Sequence, residues 1–175
     1  MTYPAAMIRL LRLDPSGVRH ISLNYLPWIC MVHVSVLGLI YGGTAAWLTR
    51  EMLSGQGLLK LTLAGIPAAF LMHAGAGLFI WVFLKALGGR TTFLNAYLFM
   101  GAAAISLWPL SPFVALVQVR TAGPVIQTAL ILAGVYGLAV TAKTIQVAFD
   151  LSLIRTAVAL SAAVIYIGCF LYLWV

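Results

Sequence analysis

The feature that most constrains this chain is a long apolar run over residues 61–84. Its 24 residues contain no Asp, Glu, Lys or Arg, and a helix that rises ~1.5 Å per residue would carry them across a hydrocarbon core of ~30 Å. Lipid offers no partner to backbone amides, so a single segment that crosses it must be helical. Lys85 and Arg90 flank the Gly88–Gly89 pair that follows, which indicates a helix end in the headgroup layer. The run therefore predicts a transmembrane helix.

Composition places the whole chain in the same class. Of its 175 residues 63% are hydrophobic and 7% are charged, and the mean hydropathy is +1.08, whereas a soluble domain carries charge on about a quarter of its positions. The formal net charge is +7, but the basic residues stand singly between apolar runs. They cannot form the clustered basic face that nucleic acid requires. Composition therefore excludes a nucleic-acid partner and favours attraction to anionic lipid headgroups.

The apolar runs and their breaks predict an all-α fold, a polytopic membrane helix bundle with about five transmembrane helices. Residues 1–24 form a cytoplasmic or interfacial segment, and residues 25–175 form the transmembrane domain. The predicted spans are approximately 25–48, 61–86, 92–112, 124–149 and 156–175, and residues 54–57 are a flexible loop. Pro109 and Pro112 break the third span, so residues 113–119 are a short re-entrant or interfacial continuation.

A short amphipathic helix is predicted at the N-terminus, over residues 4–13. Met7 and Leu10 lie on one face of this helix and Arg9 and Arg12 on the other, as in helices that lie on an anionic leaflet. Asp14 and the proline after it end this helix in a turn.

The basic residues also predict the orientation of the chain. With a cytoplasmic N-terminus, seven of them fall on the cytoplasmic side and only Arg50, Lys60 and Arg120 on the far side. The positive-inside rule then favours a cytoplasmic N-terminus and a C-terminus on the far side. We expect the seven to contact lipid headgroups: Arg9, Arg12, Arg19, Lys85, Arg90, Lys143 and Arg155.

Glycines in the spans are predicted to form helix contacts. Burial of apolar surface gives helices in lipid little reason to associate, so close approach at small residues matters more. Three pairs lie two to four residues apart and are the expected packing positions: Gly38 and Gly42, Gly75 and Gly77, and Gly134 and Gly137.

His33 and His73 are the candidates for chemistry, because ionisable residues inside a membrane are costly. His33 lies ~12 Å into the first span and His73 ~17 Å before the end of the antiparallel second span, at ~1.5 Å per residue. At similar depth they are candidate axial ligands of haem b, or contacts for a pigment or quinone. The alternative is that each neutral imidazole makes a structural hydrogen bond across a helix interface. Cys30 and Cys169 lie in apolar runs and are expected to be unpaired.

Several segments, in order, resemble bacterial members of the Yip-domain family, five-span membrane proteins named after Ypt/Rab-interacting proteins. Residues 9–16 are similar to that family's segment before the first span, and residues 87–93 resemble its Gly-Gly-basic loop after the second helix. Residues 101–110 resemble its small-residue helix that ends at proline, and residues 135–157 its final helix pair. His33 and His73 are not part of the family pattern.

The resemblance implies a non-enzymatic protein of membrane organisation, in this case in the bacterial inner membrane. We expect it to act through helix–helix and lipid contacts as a membrane-organising protein or as an accessory subunit of a larger membrane complex. Its partners would be membrane lipids and other membrane subunits or a second copy, with no catalytic residue, metal or cofactor. The alternative is a redox- or pigment-associated subunit that uses His33 and His73. A proton-coupled transporter is disfavoured, because Asp14, Glu51 and Asp150 all fall near predicted interfaces.

Overall fold

The computed structural model describes residues 2–21, 25–118 and 123–174, without the side chains of residues 163 and 166–174. The regular structure in these ranges is helical throughout. Arg120 and the side chain of Cys169 lie outside the described part. The helices, in chain order, are α1 (Tyr3–Leu11), α2 (Pro15–Arg19), α3 (Leu26–Leu48), α4 (Gly55–Ala86), α5 (Phe93–Ala103), a 3-10 turn (Ala104–Leu107), α6 (Leu110–Gln118), α7 (Pro124–Ala148) and α8 (Leu153–Trp174).

Three of these helices, α3, α4 and α7, are long and apolar enough to cross a membrane. A fourth crossing results if α5, the 3-10 turn and α6 are counted as one broken span, whose two parts are bent by 77°. Over the described residues, the structure thus confirms an all-α fold with three to four candidate membrane spans. The predicted count of five depends on α8, of which Leu153–Ala162 forms a shorter apolar helix.

Two segments differ from the sequence prediction. Helix α4 is 32 residues long and begins at Gly55, six positions before the predicted start. Residues 54–57 are its N-cap and first turn instead of a loop, because the Ser54 side chain accepts a hydrogen bond from the Gly57 amide at 3.3 Å. Residues 15–19 form the separate helix α2. The sequence had predicted a turn here, followed by irregular chain that leads to the first span.

The break in the third span is held by side chains that bind the backbone of α3. Trp108 Nε1 donates a hydrogen bond to the His33 carbonyl oxygen at 3.0 Å. Ser111 Oγ donates to the Leu37 carbonyl oxygen at 3.2 Å. These bonds fix the bent segment against α3, so the bend predicted from the prolines is a defined part of the packing.

Helices α1 and α2 form a compact N-terminal hairpin. Leu13 adopts a left-handed conformation with φ of 61° between them, and the Asp14 side chain caps α2 by accepting from the Ser16 amide at 2.9 Å. A Cβ at Gly17 would lie 2.5 Å from the Leu10 amide nitrogen. The two helices therefore cross with their backbones nearly touching, which only glycine permits at that position.

The apolar face of α1 packs on the protein. Ala6, Met7 and Leu10 are buried in one core cluster with residues from α5 and α7. Tyr136 of α7 also donates a hydrogen bond to the Leu11 carbonyl oxygen at 2.7 Å. The amphipathic helix predicted for a leaflet surface thus has its apolar side in the core of the bundle, while Arg9 and Arg12 on its other side are exposed.

Candidate functional site

A polar cluster within the bundle is centred on His33, the fully buried histidine of α3. Its Nδ1 lies 2.9 Å from the Ala102 carbonyl oxygen of α5. Because a carbonyl only accepts, Nδ1 carries the proton and donates. Its Nε2 is then an acceptor, and the Tyr3 hydroxyl of α1 donates a hydrogen bond to it at 2.6 Å. His33 is therefore neutral, in one tautomer, with both ring nitrogens occupied by protein partners.

Trp108 completes this cluster. Its ring stands edge-on to the imidazole with ring centres 5.7 Å apart and an interplanar angle of 85°, and its indole N–H binds the His33 backbone. The N-terminal hairpin, the first long helix, α5 and the break after it thus all meet at one side chain. The arrangement suits a structural junction, in which one imidazole positions three other segments.

Tyr3 and Asp14 are the groups in the N-terminal hairpin whose acidity is shifted. Burial raises the pKa of the Tyr3 phenol above 10.0, so Tyr3 stays protonated at neutral pH and remains the donor to His33. Hydrogen bonds from the Ser16 backbone and then its side chain lower the pKa of Asp14 below 3.8. Asp14 is therefore ionised at neutral pH and caps α2 as a carboxylate.

His73 makes a separate contact of the same kind. It is half-buried on α4, and its Nε2 donates to the Tyr97 carbonyl oxygen of α5 at 2.9 Å. The rings of the two residues stand edge to face, with centres 4.6 Å apart. His73 therefore fastens α4 to α5, as His33 fastens α3 to α5.

These two histidines do not form the predicted haem site. Their acceptors, Ala102 and Tyr97, are five residues apart on α5, which corresponds to a rise of ~7.5 Å. Axial ligation needs a free nitrogen lone pair on each imidazole, whereas the one lone pair of His33 is already used by Tyr3. The residues present do not fit haem b in this arrangement. Over the described ranges no group of three or more His, Cys, Asp or Glu side chains could hold a metal.

Most of the basic residues predicted to contact headgroups are at the surface. Lys143 differs from the rest, because it is half-buried on α7 and donates to Gln146 Oε1 at 3.2 Å. The exposed ones are Arg9, Arg12, Arg19, Lys85, Arg90 and Arg155.

Two of the predicted glycine positions, Gly38 and Gly42, lie in the contact between α3 and α4. A Cβ at Gly38 would lie 2.5 Å from the Gly65 carbonyl oxygen, and one at Gly42 would overlap the Thr62 carbonyl oxygen. Gly65 was not predicted from the sequence as a packing position, but it lies opposite Gly38 and Gly42 on α4. Its signal in the sequence is a glycine four positions before another small residue, Ala69, which is a spacing typical of close helix contacts.

The other four predicted glycines differ in how close an added Cβ would lie to its neighbours. A Cβ at Gly137 would overlap the Leu107 side chain. Gly77 and Gly134 have only ordinary van der Waals distances to neighbours, 3.6 Å and 3.7 Å at the nearest. Gly75 has nothing within 4 Å and faces open space. Their service as helix-packing positions between separate chains stays a prediction.

No protein-family model matches this chain, and neither a curated protein nor a solved structure matches it at a significant level. The Yip resemblance therefore stays a prediction that depends on the segments quoted above. Two of those segments form chain reversals in the structure. Residues 9–16 make the turn of the N-terminal hairpin, and Gly88, with φ of 83°, ends α4 in the other.

Proposed function

We propose that this chain is a non-enzymatic integral membrane protein of Yip type, which organises membranes or serves as an accessory subunit of a larger membrane complex. In this proposal α8 is the fifth span, since its 22 residues are long enough to cross a hydrocarbon core of ~30 Å. The N-terminus is cytoplasmic, the C-terminus lies on the far side, and the membrane is the bacterial inner membrane. The partners are lipids and the helices of other subunits or of a second copy.

The observation that carries the proposal is the outward face of α4. Gly75 lies on it in open space, and Leu71, Met72 and Leu78 around it are exposed, Leu71 to 76%. An open glycine among large apolar side chains forms a notch in which a neighbouring helix can approach closely, which is how helices associate in lipid. The polar groups of the His33 cluster, by contrast, are already occupied inside the chain. This distribution favours contact with other helices over chemistry on a substrate.

The test fills this notch. In Gly75→Leu the new side chain enters open space, so the fold should be retained while a partner helix is displaced. We expect the variant to lose the oligomer or the co-purifying membrane subunit that the wild-type chain retains in mild detergent, measured by native gel and mass spectrometry. The matched control is Gly55→Leu, which adds the same side chain at another open glycine, at the N-terminal end of the same helix.

Two results would count against the proposal. One is a wild-type chain that purifies from native membranes as a monomer without any protein partner. The other is unchanged assembly in Gly75→Leu, since the notch would then not be a contact site.

A further inference from the structure

A groove between α7 and α8 opens on the surface of the bundle. Its volume is about 520 Å³, within the range of about 300–1,000 Å³ that is usual for sites that hold a small molecule. Along α7 it extends from Ala142 back to Val135, a rise of ~10 Å. Residues from both helices line it, among them Leu138, Ala139, Ala142, Ala157, Leu160 and Ser161.

The groove exists because α8 packs mainly on another helix. Ala159 and Leu160 are buried in one cluster with Ile80 and Leu84 of α4 and with Ile145 near the end of α7. The small residues Ala139 and Ala157 line the space between α7 and α8 and leave it unfilled.

Two basic residues lie close, along the chain, to the lining residues that are nearest to the turn between α7 and α8. Lys143 follows the lining residue Ala142 directly, is half-buried, and hydrogen-bonds to the neutral amide of Gln146. That amide satisfies one N–H donor and supplies no negative charge. Arg155 lies exposed in the first turn of α8, at the same end of the groove. Because the hydrogen-bond partner of Lys143 is neutral, its positive charge remains available to an anion.

We propose that this groove binds one anionic phospholipid, with its phosphate beside Lys143 Nζ and one acyl chain along the apolar lining between Ala142 and Val135. A phospholipid brings the negative charge and the apolar chain in one molecule, and its geometry matches a groove with a cation at one end. An apolar helix from a partner would fill the groove and leave Lys143 without a counter-charge. The inference rests on the proposed membrane function and gives its lipid contact a place and a chemical class.

The test titrates the purified full-length chain, in mild neutral detergent, with phosphatidylglycerol or with phosphatidylcholine of the same chains, and counts bound lipid by native mass spectrometry. We expect the wild-type chain to prefer phosphatidylglycerol. Lys143→Gln should weaken that binding about fivefold, which corresponds to about 1 kcal/mol for one basic residue at a lipid surface, and should leave phosphatidylcholine binding unchanged. Lys143→Arg should restore the preference.

The matched control is Lys60→Gln, which removes the same charge from an exposed lysine of α4 that is not among the predicted headgroup contacts and should leave the preference intact. A second variant, Ala139→Trp, fills the groove without changing the charge. It should weaken binding of both lipids, and size-exclusion chromatography verifies that it is folded.

Four outcomes would overturn the assignment. The first is equal affinity of the wild-type chain for the two lipids, and the second is an equal loss of affinity in Lys60→Gln. The third is competition by glycerol phosphate as strong as that by the phospholipid, which would assign the site to free phosphate. The fourth is loss of a co-purifying protein from Ala139→Trp with lipid binding unchanged, which would make the groove a protein contact. None of these affects assembly at Gly75, so failure here is distinguishable from failure of the proposed function.

Discussion

Replacement by alanine should change the stability of the protein differently at two glycines of α3. In Gly38→Ala the new methyl group would lie 2.5 Å from the Gly65 carbonyl oxygen and 2.7 Å from Ile66 Cα, both backbone atoms of α4. In Gly43→Ala, five residues later on α3, the nearest atom would be Thr62 Cγ2 at 3.9 Å, an ordinary van der Waals contact. The first change must push two helices apart, whereas the second needs no movement.

The size of the difference follows from packing. Relief of the Gly38 overlap needs an opening of nearly 1 Å, and a gap of about that size forfeits a quarter to a half of each dispersion contact along the interface. Overpacked cores typically lose about 1–3 kcal/mol. Replacement of Gly by Ala inside a helix returns about 1 kcal/mol, but this gain is common to both variants and cancels in the comparison. We expect Gly38→Ala to be less stable than Gly43→Ala by about 1–3 kcal/mol.

The measurement is equilibrium unfolding in mixed micelles with increasing sodium dodecyl sulfate, followed by far-UV circular dichroism. Wild type, Gly38→Ala and Gly43→Ala are compared at the same lipid and detergent ratio. If the two variants unfold within about 0.5 kcal/mol of each other, the size of an ordinary surface effect, then α3 and α4 do not meet at Gly38 and the packing described above is wrong.

The remaining predictions concern the N-terminal hairpin. Tyr3→Phe removes the donor to His33 Nε2 and leaves a buried acceptor without its partner, so the hairpin should undock more easily by about 1–3 kcal/mol, which amide hydrogen exchange of residues 3–19 measures. Asp14→Asn should abolish the acid sensitivity of the α2 cap. The lowered pKa of Asp14 means that its contribution is present above its ordinary value of 3.8 and is lost as the pH falls through the lowered value, so amide NMR signals of α2 should titrate in the wild type only.

The Tyr3 prediction has a matched control variant, and each prediction has a result that would contradict it. Tyr25→Phe removes a hydroxyl from a tyrosine that is 67% exposed and should leave exchange of the hairpin unchanged. Equal protection in Tyr3→Phe and wild type would show that the Tyr3–His33 hydrogen bond does not hold the hairpin. For Asp14, an acid titration that persists in the Asn variant would assign it to another group.

The sequence predicted the class of fold because charge-free runs and their breaks are local features. The bend after Trp108 follows from two prolines, and the close face of α3 follows from the spacing of Gly38 and Gly42. What a residue meets across space is not local. The sequence predicts similar depths for His33 and His73, but depth does not specify direction, and both imidazoles turn toward carbonyl oxygens of α5.

The N-terminal hairpin also shows that contacts between distant residues cannot be predicted from a local pattern. The amphipathic pattern of α1 identifies an apolar face, and lipid and a protein core are equally good at covering it. Only the residues that complete the core decide between them, and Phe99, Ala102 and Val140 lie far along the chain. The prediction of a loop over residues 54–57 was wrong for a different reason. Gly55 and Gly57 have low helix propensity, but the Ser54 cap stabilises the start of α4 at these positions.

The position of the hairpin has a consequence for biogenesis. The Leu11 carbonyl oxygen is bound by Tyr136, 125 residues later, and a ribosome that adds 5–20 residues per second needs about 6–25 s to reach it. Helix α1 is therefore synthesised well before the α7 residue that binds its C-terminal end. Until α7 has been made, the apolar side of α1 must be covered by the bilayer surface or by the insertion machinery.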